Sequence, residues 1–329
     1  MSEAVRERVA RRPGERPRVL LLNRHELPPE VERLASLAEF ETVEDARLEE
    51  QLRSCDVVYA WDYFWDRSTD RLARAWGPDV DIAWFHIANV GVDKLAFLEG
   101  TPNRPTITNA SGVYERAIAE YVLGSYLFLL KRFRLADRCQ SRRQWHRFEG
   151  GQAEGSSATV LGAGPIGREI AGLLEAIVMR VWVMGRTARR DERFGLIHGG
   201  EDLPRLLAAS DLVVLAAPLT PETRRLIGAE ELDLLGPDGY LVNVGRGELV
   251  QDRALIDALR EGRIAGAALD VFSEEPLPES SPYWALENCL VSSHLSGATT
   301  GWRQRLAAVF AGNLRAFRDG RPLTNVVAP

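Results

Sequence analysis

The sequence predicts an α/β protein built on parallel sheets in two domains. Three observations carry that expectation. Short apolar runs of strand length recur along the chain. Segments of helical length and spacing separate them, an alternation that calls for parallel strands joined by crossover helices. The alternation also stops and restarts. A loop rich in Gly, Gln and Ser (149–157) divides a shorter first series from a longer second one.

In the first series, residues 18–23 (RVLLLN) are the first candidate strand. Pro28 and Pro29 lead into 30–37, which has helical spacing. Residues 56–61 (DVVYAW) and 82–87 (IAWFHI) read as further buried strands, because a strand covered on both faces lacks polar alternation. Residues 113–133 read as one long helix. Glu115 and Glu120 stand early in it, and Lys131, Arg132 and Arg134 at its end, an order that suits the helix dipole. It is apolar almost all round, so it is expected to lie between domains or against another subunit.

The second series offers six strands, at 158–161, 181–184, 212–215, 240–244, 265–269 and 289–292. Six strands alternating with helices describe a Rossmann-like, doubly wound nucleotide-binding domain. Residues 301–320 read as a last helix that returns to the first domain, and 322–327 as a tail. The expected division is 1–110, completed by 298–329, and 111–297.

Composition argues against several classes. The 41 basic and 47 acidic residues leave a net charge of −6, whereas a nucleic-acid partner calls for a concentrated basic face. The one basic cluster (Arg6, Arg8, Arg11, Arg12, Arg16, Arg18) is interleaved with Glu3, Glu7 and Glu15 and reads as a solvated leader. No apolar run reaches membrane-spanning length, and no signal-peptide core is visible. Cys55, Cys139 and Cys289 are odd in number and widely spaced, which suits a reducing cytoplasm. The five histidines are scattered, so no metal site is expected.

The chemistry begins at Gly162-Ala163-Gly164-Pro165-Ile166-Gly167. Such a pattern alone is weak in a chain with 28 glycines. This one directly follows a strand and directly precedes a helix, which is the context a dinucleotide needs. Gly162 permits the tight turn, Gly164 lets backbone approach the pyrophosphate, and Gly167 lets helix and strand pack closely. An NAD site usually ends its second strand with an acid for the ribose 2′-hydroxyl. Here Gly185-Arg186-Thr187 stands at that place, and Asp191 and Glu192 come later. Arg186 can grip a 2′-phosphate and Thr187 can add a hydroxyl, so NADP(H) is expected over NAD(H). The other reading is a solvated arginine loop.

Three further segments end strands of the second series: 243–248 with Arg246, 268–278 with Asp270 and Glu275, and 292–299 with His294. Hydride transfer to a ketone needs a proton donor and positive charge near the carbonyl oxygen. Imidazolium and guanidinium meet those needs, and a carboxylate on the imidazole fixes its tautomer.

These segments, together with 108–113 (TNASGV), the glycine turn and 210–223, resemble the D-isomer-specific 2-hydroxyacid dehydrogenases, in the family's order and at its spacing. The resemblance implies that Arg246 holds the substrate carboxylate and polarises the keto oxygen. It implies that His294 is the acid/base and that Glu275 is its paired acid. Asp270 resembles the residue near the nicotinamide end of the cofactor. Pro218, Thr223 and Val244 resemble cofactor contacts, as do Pro165 and Ile166 within the turn. The backbone of Val90 and Gly91 resembles the loop that binds the substrate carboxylate. The first domain would then bind substrate, with a cleft between the domains hinged near Ser111 and Gly297, in a homodimer. Departures are Asn89, where the family often has Gly, and Gly155-Ser156-Ser157-Ala158 before the turn. Formate dehydrogenases pair the histidine with Gln, so Glu275 counts against that activity. Arg186 aligns the chain with glyoxylate/hydroxypyruvate reductases.

Residues 59–65 (YAWDYFW) end a strand of the first domain. Two readings stand. The aromatics are core packing, or Trp61 and Tyr63 face the cleft and suit a bulky keto acid, with Trp302 nearby. The leading functional expectation is an enzyme that reduces a small 2-keto acid to the D-2-hydroxy acid. The alternatives are a nucleotide-sensing corepressor on the same fold, and oxidation of a small anion such as phosphite.

Overall fold

The computed structural model describes residues 16–29, 31–62, 68–177 and 179–327. Among these residues the strands are β1 (Arg18–Leu22), β2 (Glu39–Thr42), β3 (Val57–Ala60), β4 (Trp84–Ile87), β5 (Thr106–Thr108), β6 (Ser157–Leu161), β7 (Arg180–Met184), β8 (Arg189–Asp191), β9 (Gly195–His198), β10 (Leu212–Leu215), β11 (Tyr240–Asn243), β12 (Gly266–Leu269) and β13 (Cys289–Val291). The α-helices are α1 (Leu48–Ser54), α2 (Ser68–Ala75), α3 (Glu115–Leu130), α4 (Phe133–Ser141), α5 (Pro165–Ala176), α6 (Leu203–Ala208), α7 (Ala229–Leu235), α8 (Asp252–Glu261) and α9 (Trp302–Arg318). The chain divides into two compact units, Met1–Val113 with Thr300–Pro329, and Tyr114–Thr299.

The first unit holds a five-stranded sheet in the order β2-β1-β3-β4-β5, with every pair parallel. β3 and β4 are wholly buried, as their unbroken apolar runs require. α9 belongs to this unit. Its Phe310 stacks on Tyr59 at 3.8 Å and on Trp84 at 5.2 Å. The chain end pairs beside β5, with Val327 N donating to Ile107 O. The helix expected at 30–37 is a single 3-10 turn, Val31–Leu34. β2 and β5 carry no sequence signal. β2 (EFET) is a largely exposed edge strand, and β5 has three residues.

The second unit holds an eight-stranded sheet in the order β13-β12-β11-β10-β6-β7-β9-β8, parallel except for the β8–β9 pair. From β6 the chain moves out to β7 and later returns to β10 on β6's other side, so strand order reverses at β6. In open α/β sheets, ligands bind beyond the strand ends at such a switch point. The single helix expected over 113–133 is two helices. α3 ends at Leu130, Arg132 takes a left-handed conformation (φ 55°), and α4 starts at Phe133. α3 buries Ile118, Val122 and Tyr126 in the same core as Ile170 and Leu174 of α5. Among the described residues no helix is long and apolar enough to cross a membrane.

Candidate active site

β6 delivers the chain into the glycine turn. Gly162 has φ 130°, and a Cβ there would lie 2.5 Å from the Ala216 carbonyl oxygen. A Cβ on Gly167 would lie 1.7 Å from Gly162 O. Backbone packing therefore demands both glycines. Gly164 differs: a Cβ there would meet nothing within 4 Å. Gly164 caps the N-terminus of α5, with Pro165 next and Ile166 half-buried behind it. Open space in front of unpaired helix N–H groups fits a dinucleotide pyrophosphate.

Arg186 and Thr187 follow β7 on an exposed bend. The nearest later acid, Asp191, is already engaged. Its carboxylate accepts Arg168 at 2.6 and 3.1 Å and the amides of Arg193 and Phe194. The Arg168 hydrogen bond leads in holding this carboxyl far below the usual range. The β8–β9 hairpin created there brings Arg189 Nη1 to 3.1 Å from where a Gly185 Cβ would stand, beside Ala163. Beyond β10, the Thr223 hydroxyl donates to Pro218 O at 2.7 Å and accepts Thr220 N at 2.8 Å, closing the 218–223 loop. The Thr220 hydrogen bond, and to a lesser degree the charge of Arg186, hold the Glu222 carboxyl below its usual range.

Three consecutive strand ends converge on the remaining residues. Past β11, Val244 is buried, with its N–H on Leu215 O. The buried Asn243 side chain accepts Gly245 N and donates to Arg246 O, which folds the turn that carries Arg246. A Cβ on Gly247 would lie 1.9 Å from Phe272 C, so this turn is pressed against the loop after β12. In that loop Glu275 Oε1 accepts Phe272 N, and Glu275 Oε2 lies 2.9 Å from His294 Nδ1. Burial raises the Glu275 carboxyl, but the His294 hydrogen bond and charge, the Phe272 amide and Arg246 outweigh it and leave it below the usual range. An ionised Glu275 accepts a hydrogen bond from Nδ1–H, which leaves Nε2 as the ring nitrogen for proton exchange with a substrate. The His294 side chain is 43% exposed.

Asp270 holds the His294 loop. It is fully buried, and both carboxylate oxygens are spent on the His294 loop. Oδ1 accepts Ser292 Oγ and Leu295 N, Oδ2 accepts Ser296 N, and the Asp270 carbonyl accepts His294 N. His294 itself is left-handed at φ 52°. A β-carbon residue holds that conformation only where its surroundings over-determine it. Asp270 acts on a segment more than 20 residues away, and no local pattern signals that.

In the first unit, Val90 and Gly91 follow the carboxyl end of β4 on a half-buried bend. Asn109 Nδ2 braces this bend by donating to Val90 O. Trp61 is 6% exposed. It lies parallel to Trp302 at 6.5 Å and edge-on to Tyr59 at 5.9 Å, so its ring is taken up in core packing. That packing favours the core reading of Trp61 over the cleft-facing one. Tyr63, Phe64 and Trp65 lie outside the described residues, as does the basic cluster up to Arg12. Among the described residues no group of three or more His, Cys, Asp or Glu could hold a metal ion.

Known proteins resemble this chain in sequence and in fold. Residues 123–296 match the family model for the D-isomer specific 2-hydroxyacid dehydrogenase NAD binding domain. A glyoxylate reductase of Aeropyrum pernix is 37% identical over 247 residues, covering 72% of this chain and 74% of the relative. One from Thermococcus gammatolerans is 36% identical over 240 residues, covering 70% and 72%. An NADPH-dependent glyoxylate/hydroxypyruvate reductase of Sinorhizobium meliloti, solved with NADP and malonate, superposes with a TM-score of 0.80 at 27% identity. That match covers 95% of this chain and 97% of the other. The chain belongs to the D-isomer specific 2-hydroxyacid dehydrogenases, oxidoreductases that pass a hydride between a nicotinamide dinucleotide and a 2-hydroxy acid/2-keto acid pair.

Proposed function

We propose that this enzyme reduces a small 2-keto acid of the glyoxylate and hydroxypyruvate class to its D-2-hydroxy acid, with NADPH preferred over NADH. The carrying observation is the His294–Glu275 pair at 2.9 Å, with Arg246 acting on the same carboxylate. The bound cofactor supplies the hydride that goes to C2 of the keto acid. His294 gives its Nε2 proton to the carbonyl oxygen, Glu275 stabilises the imidazolium, and Arg246 offsets the negative charge growing on that oxygen. Val90 and Gly91 keep the role of holding the substrate carboxylate. Gly162, Gly164, Pro165, Ile166 and Gly167 cradle the pyrophosphate, with Pro218, Thr223 and Val244 as further contacts.

The NADPH preference rests on two features. Arg186 and Thr187 occupy the place of the ribose acid, and Asp191 is already committed to Arg168. The reading includes a homodimer formed through the second unit. Phe133 and Trp145, 52% and 97% exposed, follow α3 there. It also includes a cytoplasmic setting, which the three free cysteines suit.

A panel of glyoxylate, hydroxypyruvate and phenylpyruvate, followed by NADPH absorbance, tests the proposal. The first two should turn over fastest, and His294→Ala and Arg246→Ala should each lose most of kcat. Near-full kcat in His294→Ala at every pH would defeat the mechanism. Sedimentation as a monomer at micromolar concentration would remove the dimer.

A further inference from the structure

We propose that Tyr121 is a positioning residue for His294, acting from α3 through Ser292 and Asp270. The inference rests on the reading of His294 as the acid/base. The Tyr121 hydroxyl lies 2.7 Å from Ser292 Oγ, across 171 positions of sequence. Ser292 Oγ lies 2.6 Å from Asp270 Oδ1. The direction of this chain is fixed. An ionised carboxylate only accepts, so Ser292 gives its single proton to Asp270, and Tyr121 must donate to Ser292. The same Asp270 carboxylate holds the amides of Leu295 and Ser296, the two residues after His294.

α3 also grips the other end of the loop. A Cβ on Gly297 would stand 2.6 Å from Cδ1 of Tyr114, the residue that precedes the first turn of α3. One helix therefore fixes both ends of the segment 292–297, whose middle carries a left-handed histidine. Among the described contacts, Glu275 faces His294 directly, Arg246 acts through that carboxylate, and Asp270 holds the loop on either side of it. The donor from Tyr121 keeps Asp270 Oδ1 aligned on the loop amides. The loop amides keep Nδ1 of His294 on Glu275.

Tyr121→Phe removes one hydroxyl and leaves the ring. In the full-length enzyme with NADPH and hydroxypyruvate, kcat should fall about fivefold, the order expected from one hydrogen bond, with the KM for NADPH unchanged. The pH profile of kcat should change with it, because a looser Glu275 holds the imidazole less firmly. Ser292→Ala should do the same. The double variant should be little worse than either single one, since both break one chain. Tyr126→Phe is the control. Tyr126 lies buried on the same helix, with its hydroxyl bonded to Ser156, and its loss should leave the pH profile in place.

Hydrogen exchange separates this inference from the reading beneath it. Leu295 and Ser296 amides should exchange faster in Tyr121→Phe whether or not His294 is the acid. Unchanged exchange, or a wild-type kcat and pH profile in Tyr121→Phe, overturns the positioning role. Full activity in His294→Ala with faster exchange in Tyr121→Phe overturns the acid/base reading alone.

Discussion

On the proposed reading, Arg186 sets the cofactor choice from an exposed position. It stands on the bend after β7, where a carboxylate would reject a 2′-phosphate and a guanidinium accepts one in paired hydrogen bonds. Arg186→Ala should lower kcat/KM with NADPH by roughly 10- to 100-fold, the range for losing a charge-assisted contact. The same constant with NADH should move little. Equal losses with both cofactors would mean that Arg186 does not discriminate. Residues of this kind were legible in the sequence. Arg246, Glu275 and His294 each follow a strand whose apolar run marks its end, so their placement was legible, and their roles belong to the proposed reading. Asn243 and Asp270 were not legible as positioning groups. Asn243 works inside its own turn, on Gly245 N and Arg246 O, while Asp270 bonds the Ser292 hydroxyl and the amides of Leu295 and Ser296, which are distant in sequence. Trp61 was ambiguous for a related reason: an aromatic at a strand end suits core and pocket equally, and its packing on Trp302, 241 positions away, favours the core.

At the level of elements, long apolar strands and the glycine turn were readable, while short or polar ones were not. β8 (RRD) carries charge and β9 (GLIH) only four residues. The pair is held partly by the Arg168–Asp191 bridge from α5, a tertiary contact. The break between α3 and α4 was hidden because Arg132 is an ordinary helix former, and nothing local announces its positive φ. α9 was readable as a helix, and its contacts explain what it does. Phe310 is fully buried between Tyr59 and Trp84 of the first sheet, and Leu306 and Leu314 are buried on the same helix. Phe310→Ala should cost about 3–5 kcal/mol in urea unfolding, the usual loss for a buried aromatic that leaves a cavity. A cost below about 1 kcal/mol would show that α9 does not anchor the first unit. The variant should leave the second unit's Arg246–Glu275–His294 arrangement alone, so cofactor binding should survive better than stability.

For the whole molecule, acid should act first on the first unit, because its core holds a histidine that cannot easily charge. His86 is fully buried on β4, with Tyr59 and Phe310 against its ring. Its Nδ1 lies 2.7 Å from Thr108 Oγ1, which also accepts the Trp84 indole N–H, and its Nε2 has no hydrogen-bond partner. Burial pushes its pKa down to about 3, against an ordinary 6.5. A folded value below the unfolded one means that the unfolded chain takes up the proton first. The stability is therefore complete above about pH 6.5 and is lost as pH falls from there toward 3. The loss approaches about 1.4 kcal/mol per pH unit, or about 2 kcal/mol at pH 5. Urea midpoints at pH 7 and pH 5 would measure it. His86→Phe keeps a ring among the aromatics and removes the titrating group, so its midpoint should change less between the two pH values than that of the wild type. An equal change in both proteins would move the acid sensitivity to carboxylates elsewhere. The remaining buried network of the first unit, Trp84 to Thr108, would then be a packing device with no titrating part.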